Sequence, residues 1–214
     1  MDHVAATAAR YNRAHTEPGD IDMRITVINA HPDPDEQHYI AALCQSYGQG
    51  ATEGGHEIRQ IEVGRLAFDF IRNQQDWRDG EVPVDIREAQ DAITWCEHLV
   101  LAYPLWLGTM PALTKGFLEQ TFRQNFAFNS NNVADISARR LRGRSARIIV
   151  TMGMPALIYR WFYGAHSLRA VKRNILRFCG FGPVRTSIVG GVGGSAKHRE
   201  AQLARMQQLG KAGR

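Results

Sequence analysis

Short β-branched apolar runs alternate with helix-forming stretches along most of the chain, and this alternation constrains the fold more than any other feature. Residues 24–29, 57–63, 98–103, 146–152 and 184–189 are runs of strand length. Several are too apolar throughout to keep one face wet, as expected of parallel strands buried on both sides. Residues 36–53, 83–97, 111–122 and 167–179 place apolar side chains three and four apart among helix formers, so helices should cover both faces of the sheet. Right-handed crossovers then give an α/β, doubly wound, five-stranded parallel sheet with expected order 2-1-3-4-5.

The remaining segments are ancillary. Residues 1–22 are polar, lack strand periodicity and contain a Pro-Gly turn signal, so they read as an extension preceding a single domain over 23–214. Met23 directly precedes the first strand and is a possible natural start of translation. Leu203, Met206 and Leu209 mark a terminal helix within 195–211. Cys44, Cys96 and Cys179 are widely spaced with no CxxC pair, which supports neither a zinc ribbon nor a disulfide framework and points to a reducing cytoplasm. No apolar run approaches the roughly 20 residues of a spanning helix. The formal charge of +5 raises a nucleic-acid reading, with "ARRLRGRSAR" (138–147) as its densest basic run. That run leads straight into a buried strand and reads as a solvated loop, so no nucleic acid is expected as a partner. Arg169, Lys172 and Arg173 fall on the outer face of a helix, where they would equally attract an anionic cofactor such as NADPH.

In an open parallel sheet, ligands sit beyond the carboxyl ends of the strands at the switch point. The loops there are "HPDPDEQH" (31–38), "PLWLGTMP" (104–111) and "GMPALIYRWFYGAH" (153–166). The first suits either a metal or a phosphate. Its histidines and acids are similar to the HPDDE loop of zinc-dependent sugar deacetylases, but Pro34 interrupts that spacing and the other histidines occur singly. A strand-to-helix turn is also an anion site, because helix N-terminal N–H groups lack intrahelical partners. His31 and His38 add donors there, with Asp35 expected as the helix N-cap and Asp33 turned to solvent. The late "GGVGGS" (190–195) reads as a flexible loop.

The second loop sets large hydrophobes, Leu105, Trp106 and Leu107, after Pro104 at the end of a buried strand. A planar ring cofactor needs such a surface: loop backbone bonds its polar edge while apolar side chains cover one face. Trp106 taken alone is better explained by packing, and its place at the switch point reverses that preference in favour of the cofactor.

Three blocks carry a resemblance: "ITVINAHPDPDEQHYIAAL", "LVLAYPLWLGTMPALTKGFLEQTF" and "ARIIVTMGMPALIYRWFYGAHSLRAVKRNILRFCGF". Over residues 24–190 the chain resembles the flavodoxin-like NAD(P)H:quinone oxidoreductases, the family of DT-diaphorase and modulator of drug activity B. The resemblance implies a flavin, FAD or alternatively FMN, with NADPH or NADH as electron donor and a quinone as acceptor. It also implies a homodimer. His31, Gln37 and His38 would lie in the loop that holds the cofactor phosphates. Pro104, Leu105, Trp106 and Leu107 would lie beside the ring system, with Thr151, Met152, Gly153 and Met154 under its pyrimidine edge. Tyr159 and His166 match the family's proton-relaying tyrosine and histidine, with spacing one residue longer than in DT-diaphorase. Trp106, Phe128, Trp161, Phe162 and Tyr163 are the substrate walls, Phe128 reaching the neighbouring subunit's site. Many members read Ser-Phe-Asn where this chain has Glu36, Gln37 and His38.

Two rival readings follow from the same residues. Some relatives of this kind are ancillary subunits of potassium-efflux antiporters, and a basic surface suits docking onto a partner. The zinc deacetylase is the weaker rival.

Overall fold

The computed structural model describes residues 23–128 and 139–214. The expected N-terminal extension and the question of a start at Met23 concern residues outside that description. Five strands, β1 (Arg24–Asn29), β2 (Glu57–Glu62), β3 (His98–Pro104), β4 (Ser145–Thr151) and β5 (Val184–Val189), form one sheet. Every pairing is parallel and the order is β2-β1-β3-β4-β5. β3 lies at the centre and all seven of its residues are buried, which explains the unbroken apolar run 99–102 within it.

Helices cover both faces. On one side α1 (Tyr39–Glu53) and α8 (Ala196–Lys211) pack over Ile25, Val27, Val100, Ala102 and Ile149. Ile40, Leu43, Cys44, Tyr47 and Ala51 form the buried stripe of α1 at helical spacing. The two helices touch backbone to backbone: a methyl on Gly50 would overlap the Gln207 carbonyl, and one on Gly210 the Tyr47 carbonyl. On the other side lie α3 (Val84–Trp95), α4 (Ala112–Thr121) and the segment after β4. That segment comprises α5 (Ala156–Trp161), α6 (His166–Ala170), a π-helical stretch Val171–Leu176 and α7 (Arg177–Cys179). The predicted helix over 167–179 is therefore continuous in direction but changes its winding.

Two short elements have no counterpart in the sequence reading: α2 (Gln74–Asp79), capped by Asn73, and α5. Six residues each give too little periodicity to detect. One boundary is corrected. The helix expected from 36 begins at Tyr39, and its N-cap is His38 rather than Asp35. Asp35 instead turns back onto the loop, its Oδ1 accepting from the Gln37 N–H at 2.9 Å. The three cysteines are free and buried, and burial pushes the Cys96 thiol up to about 11. Among the described residues no helix is long and apolar enough to cross a membrane.

Candidate functional site

The carboxyl ends of β1, β3 and β4 are fastened to one another before any ligand is considered. Ala30 N–H donates to the Ala102 carbonyl at 2.8 Å, and Leu105 N–H donates to the Thr151 carbonyl at 2.8 Å. The buried Thr114 hydroxyl, at the start of α4, donates to the Ala30 carbonyl at 2.6 Å. Asn29 is buried; its Nδ2 donates to Glu62 Oε2 at 2.7 Å and its Oδ1 accepts the His31 N–H at 3.3 Å. Sequence reasoning missed Thr114, Asn29 and Glu62, because nothing in a strand-end Asn or a helix-start Thr announces a bond across the sheet.

The first loop folds onto itself. His31 Nδ1 lies 2.9 Å from the Asp33 carbonyl, and the two imidazoles of His31 and His38 stack with centroids 4.0 Å apart. His38 Nε2 is 2.9 Å from Asp33 Oδ2. Asp33 is exposed, as the sequence suggests, but its carboxylate is engaged: Oδ1 also accepts the Asp35 N–H at 3.1 Å. These bonds, His38 first, hold the Asp33 carboxyl below its ordinary range. Burial holds the His31 imidazole below its usual value. Glu36 is paired with Arg65 at 3.1 Å, a cation outside the motif that the sequence reading did not single out. Gln37 is exposed. No side chain caps α1, so the first-turn N–H groups of Tyr39 and Ile40 are left for an outside acceptor.

The second loop is a tight hairpin. Trp106 and Thr109 exchange backbone bonds at 2.8 and 3.0 Å around Leu107 and Gly108, both at positive φ (47° and 80°). A leucine there is strained and entirely exposed. Half of Trp106 is exposed, and its ring meets His31 edge to face at 5.7 Å. Pro104 is buried, so only Leu105, Trp106 and Leu107 of this group offer side-chain surface.

In the third loop Thr151 and Met152 are buried while Gly153 is open, with no atom near the position of an added Cβ. Met152 N–H donates to the Val189 carbonyl at 3.0 Å. The N–H groups of Gly153 and Met154 donate to no acceptor among the described residues. The glycine-rich stretch after β5 braces this loop, Gly191 and Val192 donating to the Met154 and Met152 carbonyls at 3.1 and 3.2 Å. A methyl on Gly190 would collide with Ala156. The start of the stretch expected as a free loop is thus braced against the third loop, while Gly193, Gly194 and Ser195 are exposed.

Tyr159 is buried and its hydroxyl is engaged, 2.7 Å from Ser167 Oγ and accepting the Leu168 N–H at 3.2 Å. Its partner is thus Ser167, which the sequence reading passed over, while His166 is exposed immediately after Gly164 and Ala165, both at positive φ. Trp161, Phe162 and Tyr163 are exposed by 79, 81 and 51 %. Phe128 is not with them: within the chain it is buried between Trp77 and Phe178, with centroids 6.0 and 5.0 Å away. Among the described residues no group of three His, Cys, Asp or Glu could hold a metal ion.

A family model described as flavodoxin-like fold matches residues 23–211. The chain belongs to that family. It is 24 % identical over 174 residues to a Haemophilus influenzae protein called an uncharacterized NAD(P)H oxidoreductase, covering 79 % of this chain and 85 % of that one. It is 23 % identical over 205 residues to the rat NAD(P)H dehydrogenase [quinone] 1, covering 84 % and 73 %. Among solved structures, the NAD(P)H:quinone oxidoreductase from Methanothermobacter marburgensis superposes with a TM-score of 0.74 at 21 % identity, over 90 % of this chain and 99 % of that one. An FMN-dependent NADH-azoreductase from Bacillus anthracis, in complex with FMN, gives 0.68 at 15 % identity, over 88 % and 98 %.

Proposed function

We propose that the chain is a flavin-dependent NAD(P)H:quinone oxidoreductase, working by two-electron transfer in which donor and acceptor alternate at one site. The observation that carries this reading is the meeting of three kinds of group at the carboxyl ends of β1, β3 and β4. They are the unpaired N–H groups of Gly153 and Met154, the half-exposed Trp106 beside His31, and the uncapped N-terminus of α1. This donor set fits a flavin: Gly153 leaves room for close approach, its N–H and that of Met154 face no protein acceptor, and Tyr39 and Ile40 offer N–H groups to an anionic tail. The names of the relatives agree with it.

When bound, the flavin supplies the hydride-accepting and hydride-donating ring. The protein's part is electrostatic and positional. The Gly153 and Met154 N–H groups, free of protein acceptors among the described residues, would face the polar edge of a bound ring and favour negative charge there. Trp106 and Leu105 cover apolar surface. His166, exposed at the head of α6, carries a proton to or from the acceptor oxygen, a task suited to imidazole. Tyr159 holds that helix head through its hydroxyl, which is hydrogen-bonded to Ser167 Oγ and accepts the Leu168 N–H, and with His166 it forms the proton relay. Flat acceptors stack against the exposed Trp161, Phe162 and Tyr163.

Those same aromatics, with Leu157 and Ile158, make an exposed apolar run of the kind that marks an interface, which supports a homodimer in which Phe128 lies near the partner's site. FAD is the favoured flavin, and a cytoplasmic location accords with three free thiols. The test is NADPH and NADH oxidation with and without menadione: acceleration by the quinone is the expected result. Tight flavin binding without turnover would instead favour the regulatory reading.

A further inference from the structure

The first loop contains a carboxylate where an anion seat would be expected to hold only donors. A strand-to-helix turn with an uncapped N-terminus attracts phosphate through its N–H groups and the positive end of the helix dipole. Here the seat offers the N–H groups of Tyr39 and Ile40 and the stacked imidazoles of His31 and His38. Three acids surround those donors. Glu36 is neutralised by Arg65 and drawn back toward it. Asp35 is turned onto the Gln37 N–H. Asp33 is different, because its Oδ2 is bonded to His38 Nε2, one of the seat's own donors, at 2.9 Å. Its Oδ1, accepting the Asp35 N–H, keeps the carboxylate in that position.

A fixed negative charge on a phosphate seat does not act equally on all phosphates. A terminal monoester carries a charge of about −2 near neutral pH on one phosphorus, because its second proton is lost near pH 6. Each phosphate of a pyrophosphate diester carries only one charge, and the two are spread along the chain. We propose that Asp33 is a specificity-determining residue that sets the first loop against a doubly charged phosphate monoester, so that the site favours FAD over FMN. The inference rests on the flavin reading above. Asp33 acts by competing for His38 and by repulsion through solvent; Glu36 exerts less because Arg65 screens it.

The test is equilibrium binding of riboflavin, FMN and FAD to the flavin-free full chain at pH 8, read by quenching of flavin fluorescence. Wild type is compared with Asp33→Asn and Asp33→Ser, both of which keep an oxygen able to accept the Asp35 N–H. Loss of the charge should tighten FMN more than FAD, by a further factor of about five, which is what one additional unit charge exerts at about 4 Å in water, and riboflavin, which has no phosphate, should not change. Raising the salt concentration should shrink the FMN gain. Unchanged or weaker FMN binding in both variants would overturn the inference while leaving the flavin reading intact, since riboflavin and FAD would still bind. Failure of all three flavins to bind any of the proteins would overturn both.

Discussion

The indole of Trp106 meets the imidazole of His31 at 5.7 Å and 84°, an edge-to-face contact that joins the loop after β3 to the loop after β1. These residues are 75 positions apart in sequence (106 − 31), and the strands that carry them are neighbours in the sheet. Because half of Trp106 is exposed, its removal should disturb ligand binding more than folding. Trp106→Ala is expected to weaken flavin binding roughly three- to ten-fold, the scale of one lost aromatic contact, and to change stability by less than about 1 kcal/mol. Fluorescence titration and urea unfolding on the same preparation check both halves.

Leu107 sits at φ 47° with its side chain wholly in solvent. A left-handed backbone costs an L-residue about 1–2 kcal/mol, and glycine forfeits part of the relief through its freer unfolded chain. Leu107→Gly should therefore stabilise the protein by about 0.5 kcal/mol, while weakening ligand or substrate binding if the side chain covers a ring. A thermal melt showing destabilisation would mean that Leu107 is packed against something in solution.

Tyr159 and His166 should separate cleanly. Tyr159→Phe removes a hydroxyl that serves both Ser167 and the Leu168 N–H, at a cost of about 1–2 kcal/mol of stability. His166 is exposed, so His166→Ala should leave the melting temperature nearly unchanged yet slow quinone reduction by roughly 100-fold, the lower range for a lost general acid. Parental rates in both variants would remove these two residues from the proton path.

The arrangement of strands could be read from sequence because the inner strands β1, β3 and β4 are buried on both faces and so predominantly apolar, while the edge strands β2 and β5 keep buried isoleucines and valines among partly exposed polar residues. The predicted β1 and β5 coincide with the observed elements, and β3 exceeds its prediction only by Pro104. The site was legible as loops rather than as contacts. Trp106 and His31 fell in the right loops for a cofactor, but their mutual contact depends on strand register. Ser167, Arg65 and Thr114 were invisible for the same reason: each matters through one long-range or turn-specific bond. Asp35 misled because an Asp before a helical stretch is the usual N-cap, and here the local turn to Gln37 captured its carboxylate first.

Acid should destabilise the protein through His98. This side chain is wholly buried at the start of β3, its Nδ1 2.7 Å from Ser145 Oγ. Burial first, then the charges of Arg147 and Arg185, push its imidazole down to about 4. A histidine free in the unfolded chain takes up its proton near pH 6.5. Between about 6.5 and about 4 the unfolded state binds the extra proton, so stability is full above that window and falls as pH drops through it. The loss is on the order of 3 kcal/mol. Urea titrations from pH 7 to 4 should show the gap between wild type and His98→Asn narrowing as pH falls; a constant gap would show that His98 is not the group responsible.

The central claim is that a flavin lodges against the Trp106 hairpin and the open Gly153 backbone. Its most direct test is the differential melting temperature of the flavin-free chain with excess FAD, FMN or neither, measured beside the absorption spectrum after gel filtration. The account predicts a yellow protein that retains flavin through the column and melts several degrees higher, since about 2.7 kcal/mol is gained at a hundred-fold excess over Kd. A protein that leaves the column colourless, with an unshifted melt in both flavins, would contradict it.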